Sequence, residues 1–146
     1  EVCKGKDEDF NYFVAGIQRS ANTQALFNRA EELGVTYILA ADLNEKYLGT
    51  VIQQLDKFIQ KVDLIYLTIC LDVFDISVAP GVSAPSANGI QPGIAIELIT
   101  KIIQSGKLVT ADIAEHNPLL DQDEKTSKLA SKLIFEKQNT AQLVML

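Results

Sequence analysis

The sequence predicts an α/β fold with a mostly parallel sheet and helices on both faces. Three observations favour this class. Short runs rich in β-branched residues alternate with longer segments of helical periodicity, which is typical of βα units. The run 64–72 is apolar on both faces, as the central strands of parallel sheets are. The length of 146 residues fits one domain, and the sequence contains no internal repeat or linker.

Strands and helices are predicted in alternation along the chain. The strands are predicted from β-branched runs at residues 11–17, 35–40, 64–72 and 108–114. The helices are predicted from apolar residues at helical spacing at residues 23–33, 47–62, 92–104 and 123–137. Ser20 or Asn22 can cap the first helix and Gly34 can stop it, while Pro92 suits the first turn of the third.

Composition and charge exclude several classes of function. The net charge of -6 argues against nucleic acid, since phosphate binding needs clustered Lys and Arg. No apolar run is as long as the roughly 18 residues that a membrane-spanning helix needs. No secretory signal is visible at the start of the sequence. The cysteines, Cys3 and Cys70, are too few for a disulfide framework, which favours a cytoplasmic protein. A start at Glu1 rather than Met indicates a missing upstream segment.

A long loop is predicted at residues 73–91. Compact domains rarely carry structureless loops of this length unless the loops have a function. This loop starts at the carboxyl end of a central strand, where open α/β sheets bind ligands. Pro80 and Pro85 restrict its conformation. The sequence therefore predicts that the loop walls a pocket, and a plain connector is the alternative.

Cys70 and Asp72 stand two residues apart at the end of the third predicted strand. In a strand, this spacing directs both side chains to the same face, as two ligands of one metal centre require. A buried cysteine followed by a strand-end cap is the alternative. Asp75 lies just beyond, where it can support the ligands through hydrogen bonds or cap the loop.

The fourth predicted strand is followed by Glu115 and His116. Glu115 is expected at the same edge of the sheet as Cys70 and Asp72, where its carboxylate can hold a cationic substrate group. A solvated acid is the alternative. His116 is the only histidine, and one histidine builds neither a metal site nor a catalytic triad. We expect an ordinary loop histidine.

Together these segments resemble the ureohydrolase family of arginase, agmatinase and formimidoylglutamase. Thr-Ile-Cys-Leu-Asp-Val-Phe-Asp at 68–75, followed by Ala-Pro-Gly-Val-Ser-Ala-Pro at 79–85, is similar to the family's second metal motif. Asp-Ile-Ala-Glu-His-Asn-Pro at 112–118 resembles its Asp-x-x-Glu-x-Asn-Pro segment. Gly-Ile-Gln-Arg-Ser at 16–20 is similar to its Gly-Ile-Arg-like strand end. Within the family, the residues of these motifs are most similar to those of formimidoylglutamases.

The resemblance implies an arginase-like three-layer α/β/α fold, of which residues 1–146 are the C-terminal part of a single domain whose N-terminal half is absent. It makes Asp72 a metal ligand, places Cys70 where members usually carry Asp, and makes Glu115 the catalytic, substrate-binding carboxylate. Arg19 is a candidate for the substrate's carboxylates from its charge and strand-end position. The implied cofactor is Mn²⁺, binuclear in the family, and the implied assembly is a homo-oligomer.

The implied reaction is hydrolysis of the small molecule N-formimino-L-glutamate to glutamate and formamide by a metal-activated hydroxide. Two departures leave alternatives open. The family's Asp-x-His-x-Asp ligand motif does not occur in this sequence, and the Cys70 thiol is softer than manganese prefers. There are therefore two competing hypotheses. The protein is an agmatinase or arginase, or it is a non-catalytic fragment or degenerate paralogue. A nucleotide-binding domain is disfavoured, because no Gly-x-Gly-x-x-Gly follows a strand.

Overall fold

The computed structural model describes the backbone of residues 11–144 and the side chains of residues 11–136, so Cys3 lies outside the described residues. The strands are β1 Phe13–Ile17, β2 Thr36–Leu39, β3 Ile65–Cys70 and β4 Leu108–Ala114. The helices are α1 Gln24–Glu32, α2 Leu48–Lys61, α3 Pro92–Gln104 and α4 Lys125–Val144. Short 3-10 turns follow three strands, at Arg19–Ala21, Ala40–Asp42 and Leu71–Val73. This order confirms the predicted alternation.

The strands pair in parallel, as predicted. β1 pairs with β2, and β3 pairs with β4. Within residues 11–144, however, the two pairs are not hydrogen-bonded to each other, so they form two separate two-stranded sheets. The expected parallel pairing is confirmed, and in the described part of the chain it is divided between two strand pairs. Local periodicity identifies a strand but not its pairing partner.

Helices cover both faces of the β1–β2 pair. Phe13 is paired with Thr36, so Phe13 and Tyr37 point to opposite faces. The Phe13 ring lies 5.5 Å from the Phe58 ring of α2, and the Tyr37 ring lies 5.5 Å from the Phe27 ring of α1. The prediction of helices on both faces is confirmed.

One continuous apolar core joins the two strand pairs. Helical spacing in α2 and α3 gathers the apolar side chains of each helix into one buried stripe. These stripes contain Val51, Leu55, Ile59, Ile94, Leu98 and Ile102. Helix α3 also packs against α4, where Leu133 is fully buried. Among the described residues, no helix has both the length and the apolar character needed to cross a bilayer.

Two predicted boundaries are corrected by backbone geometry. The third strand ends at Cys70 rather than Asp72, because Leu71–Val73 turns into a 3-10 helix around the fully buried Leu71. The last helix begins at Lys125 rather than Asp123. Asp123 and Glu124 have φ angles of 55° and 56°, a left-handed conformation that an α-helix cannot include.

The predicted 73–91 loop is fixed to the core. Isolated parallel bridges join Phe74 to Ile90 and Asp75 to Ser86, and the Ser86 hydroxyl donates to the Asp72 carbonyl at 2.6 Å. Phe74 is fully buried, as are Ala79 and Val82, which are 0% and 1% exposed. The loop is therefore anchored along its length, and its role as the wall of a pocket stays a prediction.

Candidate metal and substrate site

The carboxyl ends of β1, β3 and β4 meet at one rim of the molecule. Gly16, with φ of 97°, lies directly under the Val73 side chain, where no Cβ would fit. Beyond β1, Gln18 Nε2 donates to the Asn88 carbonyl at 3.0 Å, which ties this end to the loop after β3. Cys70 is the register partner of Ala114, so the residue after β4, Glu115, follows at the same rim.

Cys70 and Asp72 are brought together by a turn rather than by strand alternation. Cys70 ends β3 and is a free, half-buried thiol, and Asp72 lies in the following 3-10 turn. Burial raises the pKa of the Cys70 thiol, the backbone N–H of Asp72 lowers it, and the charges of Asp72 and Glu115 raise it further. Register and chain order thus place Cys70, Asp72 and Glu115 just after or at the carboxyl ends of the paired strands β3 and β4.

The Asp72 carboxylate offers a buried oxygen without a donor. Its Oδ1 atom is buried and has no hydrogen-bond partner among the described residues. Burial and the Glu115 charge raise the pKa of Asp72, while the backbone N–H of Ala84 lowers it. A buried oxygen without a donor costs free energy, and a cation would satisfy it. Asp72 Oδ1 therefore fits a metal ion, with the Cys70 thiol as a softer neighbouring donor.

Glu115 reaches the rim through an unusual backbone conformation. Its φ of 68° is left-handed, which costs a non-glycine residue about 1–2 kcal/mol. Such strain persists chiefly where the surroundings enforce it, often at functional sites. The exposed side chain accepts a hydrogen bond from the Ser83 hydroxyl, at 3.4 Å between Oγ and Oε2. A carboxylate held in this way can bind a cationic amidine or guanidinium group.

Asp75 is held within its own loop. Its Oδ1 accepts hydrogen bonds from the Ser77 hydroxyl at 2.6 Å and from the Ser77 N–H at 2.9 Å, and these lower the pKa of Asp75. These contacts match the loop-cap alternative. Support of the metal ligands by Asp75 stays a prediction.

Arg19 lies in the exposed 3-10 turn after β1. Its guanidinium carbon stands 5.6 Å from the centroid of the Phe27 ring of α1. At this distance the guanidinium makes a cation–π contact with the ring. Arg19 is thus placed beside the rim, and binding of substrate carboxylates by Arg19 stays a prediction.

His116 takes part in a local cluster with no catalytic arrangement. Its Nε2 lies 3.1 Å from Ser127 Oγ and 3.5 Å from Asp121 Oδ2, so both partners meet the same ring nitrogen. A proton relay needs the two partners on opposite nitrogens. The expectation of an ordinary loop histidine fits this geometry.

Ser83 and Ala84 were not identified from the sequence. Both lie in the loop after β3, yet Ser83 contacts Glu115 and the Ala84 N–H faces Asp72. Small residues in a Pro-rich loop give no sequence signal for such contacts, because the contacts depend on the path of the loop.

The described residues do not form a metal site by themselves. Among residues 11–136, no three His, Cys, Asp or Glu side chains are placed to hold one ion together. Cys70 and Asp72 stay candidate ligands, and a complete site would need further ligands from outside these residues.

Known proteins match nearly the whole of this sequence. The Arginase family model matches residues 2–137. Formimidoylglutamase of Legionella pneumophila (strain Paris) is 47% identical over 94% of the chain, and that of Aeromonas salmonicida (strain A449) is 46% identical over 93%. Formimidoylglutamase of Staphylococcus carnosus (strain TM300) is 45% identical over 90%. The chain spans 43%, 43% and 42%, respectively, of these relatives.

Solved structures show the same relationship at the level of the fold. The formimidoylglutamase of Bacillus subtilis subsp. subtilis str. 168 superposes with a TM-score of 0.83 at 27% identity, over 90% of this chain and 41% of that one. The arginase of Bacillus caldovelox gives 0.77 at 21% identity, over 86% and 42%. Since the family model matches nearly the whole sequence and the fold agrees, the chain belongs to the arginase family.

Proposed function

We propose that the full-length protein that carries this chain hydrolyses the formimino C–N bond of N-formimino-L-glutamate. The proposal is supported by the placement of Cys70, Asp72 and Glu115 at the carboxyl ends of the paired strands β3 and β4, in a chain 45–47% identical to three proteins named formimidoylglutamase. In the reaction, water adds to the formimino carbon and the bond from that carbon to the glutamate nitrogen breaks. The nitrogen takes a proton, and the products are glutamate and formamide.

Asp72 and Cys70 would hold a divalent cation on this chain's side of the centre. The unpartnered, buried Oδ1 of Asp72 supports this assignment. A bound divalent cation supplies Lewis acidity and lowers the pKa of coordinated water toward neutrality. The family implies two Mn²⁺ ions, whereas the thiol at Cys70 favours a softer ion such as Zn²⁺ at one position.

Glu115 would orient the cationic amidine of the substrate. Its carboxylate accepts charge-assisted hydrogen bonds, and its left-handed backbone and the Ser83 hydroxyl fix its direction. This role is positioning of the reacting carbon rather than proton transfer. Arg19, stacked on Phe27 beside the rim, would bind a carboxylate of the glutamate portion.

The test is a comparison of substrates with the purified full-length protein and added Mn²⁺. We expect release of formamide and glutamate from N-formimino-L-glutamate, and no urea from arginine or agmatine. Arg19→Gln should raise the KM for N-formimino-L-glutamate with little change in kcat, because it removes a carboxylate contact remote from the reacting carbon. Urea release without formamide release would instead identify an arginase or agmatinase.

A non-catalytic relative is the second candidate, favoured by one observation. Cys70 stands where the resemblance implies an aspartate, and the described residues hold no three-ligand group. Full-length protein that binds no divalent cation, and releases no product from any of the three substrates, would support this alternative.

A further inference from the structure

Thr126 is a buried polar residue that lies outside the candidate site. It is 0% exposed in the first turn of α4, and among residues 11–136 it is the one polar residue whose side chain and backbone together are buried. Its hydroxyl Oγ1 accepts a hydrogen bond from the Gly81 N–H at 2.7 Å. Its own backbone N–H donates to Asp121 Oδ1 at 2.9 Å, so Asp121 rather than Thr126 caps the helix. The Thr126 hydroxyl accepts from the loop and donates to the Asp121 carboxylate, so it links the two.

Gly81 is held on three sides. Besides the bond to Thr126, its carbonyl accepts a hydrogen bond from the Asn117 N–H at 2.7 Å. A Cβ at Gly81 would lie 2.6 Å from Asp121 Cβ and 2.8 Å from Asp121 Cα, so only glycine can approach this closely. Gly81 is buried, and its N–H would lack a partner if the Thr126 hydroxyl were removed.

Asp121 strengthens the same anchor. Its Oδ2 accepts hydrogen bonds from the Ser127 N–H at 2.9 Å and the Ser127 hydroxyl at 2.7 Å. Burial raises the pKa of Asp121, but the hydrogen bonds from Thr126 and Ser127 outweigh it and hold that pKa well below its ordinary value. Asp121 is thus a fixed carboxylate against which Gly81 rests.

The anchor connects the two halves of the candidate site. Gly81 is followed closely by Ser83, which contacts Glu115, and by Ala84, whose N–H faces Asp72. Asn117, bonded to the Gly81 carbonyl, follows Glu115 by two residues. Displacement of Gly81 would therefore move the loop and the Glu115 segment relative to Asp72.

We propose that Thr126 is a positioning residue which, through Gly81, sets the Asp72 and Glu115 carboxylates relative to each other. The proposal rests on the proposed function, in which Asp72 binds metal and Glu115 binds substrate. It extends that function to Thr126 of α4, whose side chain contacts neither the Asp72 nor the Glu115 carboxylate.

The test uses the full-length protein with Thr126→Val, which keeps the shape and loses the acceptor. We expect Mn²⁺ affinity and kcat/KM each to fall about tenfold, as when a group supporting a metal ligand is lost. Thr126→Ser keeps the hydroxyl and should restore both. Leu133→Val is the matched control. It removes side-chain volume from the same buried face of α4 and leaves the hydrogen bonds of Gly81 unchanged. All measurements are made well below the unfolding temperature of each variant, and Thr126→Cys, a weak acceptor, replaces Thr126→Val if the latter does not fold.

Amide hydrogen exchange supplies a readout that is independent of activity. Exchange of the Gly81 amide should accelerate in Thr126→Val and not in Leu133→Val. Faster Gly81 exchange with unchanged Mn²⁺ affinity would overturn the proposal, as would an equal loss of affinity in Leu133→Val. If the wild-type protein binds Mn²⁺ but releases no formamide, the proposed function fails, and the Mn²⁺ affinities alone decide the role of Thr126.

Discussion

At the residue scale, the proposed role of Cys70 as a metal ligand predicts how metal binding depends on pH. Burial raises the pKa of its thiol, and the charges of Asp72 and Glu115 raise it further, so the free thiol is protonated at neutral pH. A metal binds the thiolate, and binding therefore releases this proton. Metal affinity should rise as pH increases through the neutral range, and it should level off only above the raised pKa.

Cys70→Asp tests this dependence in the full-length protein. A carboxylate is already ionised near neutral pH, so we expect the rise of affinity between about pH 6 and pH 8 to become shallower. The hard oxygen ligand should also shift the preference from Zn²⁺ toward Mn²⁺. Competition titrations with both ions at each pH measure the two effects. Asp63→Asn, an exposed change at the amino end of β3 and so at the opposite end of the strand from Cys70, serves as the control. An unchanged pH dependence and metal preference would show that Cys70 is not a ligand.

Some site residues could be predicted from the sequence and others could not. Cys70, Asp72 and Glu115 are candidates from the sequence because they stand at predicted strand ends and within recognisable motifs, and their roles stay predictions. Thr126 and Ser83 gave no comparable signal. A threonine near a helix start resembles a cap, and its actual partner, the Gly81 amide, depends on how a distant loop folds back.

At the element scale, the loop after β3 depends on a glycine for its closure. Gly89 lies against the Phe74 carbonyl and the Asp75 amide nitrogen, where a Cβ would collide with backbone. This close approach permits the hydrogen bonds from Asp75 N–H to Ile90 O at 3.2 Å and from Ile90 N–H to Val73 O at 2.9 Å. The position of the loop after β3 is therefore fixed by backbone packing.

Gly89→Ala should destabilise the fold by about 1–3 kcal/mol, because backbone atoms cannot yield as a flexible side chain does. Urea unfolding of the chain measures the change. Gly93→Ala is the matched control, since a Cβ at that helical position meets no atom within 4 Å. Alanine there should be neutral or stabilise by at most about 1 kcal/mol. Equal midpoints for the two variants would contradict the close packing of the loop.

The type and order of the elements could be predicted, because apolar periodicity distinguishes helices from strands. Their ends could not. The end of β3 at Cys70 and the start of α4 at Lys125 are set by a buried Leu71 turn and by left-handed backbone at Asp123 and Glu124. The separation into two strand pairs also has no local signal, because it depends on which edges find partners.

At the scale of the whole molecule, the chain matches only 42–43% of the length of three formimidoylglutamases. Its described residues present a rim with two candidate ligands and one candidate substrate carboxylate. The relatives' remaining length is therefore where we expect the other ligands, including an Asp-x-His-x-Asp motif.

The 146-residue chain alone should be inactive, because Cys70 and Asp72 do not close a metal centre. Incubation with Mn²⁺ and N-formimino-L-glutamate, followed by a formamide assay, measures this, with a full-length protein as the positive control. Formamide release by the chain alone at a rate comparable to the control would show that the described rim is a complete site.

The division of roles at the rim is tested most directly by measuring metal content and substrate KM together in two full-length variants. Asp72→Ala should lose bound metal and all formamide release, because it removes a ligand. Glu115→Gln should retain bound metal and raise the KM for N-formimino-L-glutamate, because it removes only the charge that binds the amidine. Equal loss of metal in both variants, or full metal content in Asp72→Ala, would contradict the assignment of Asp72 to the metal and Glu115 to the substrate.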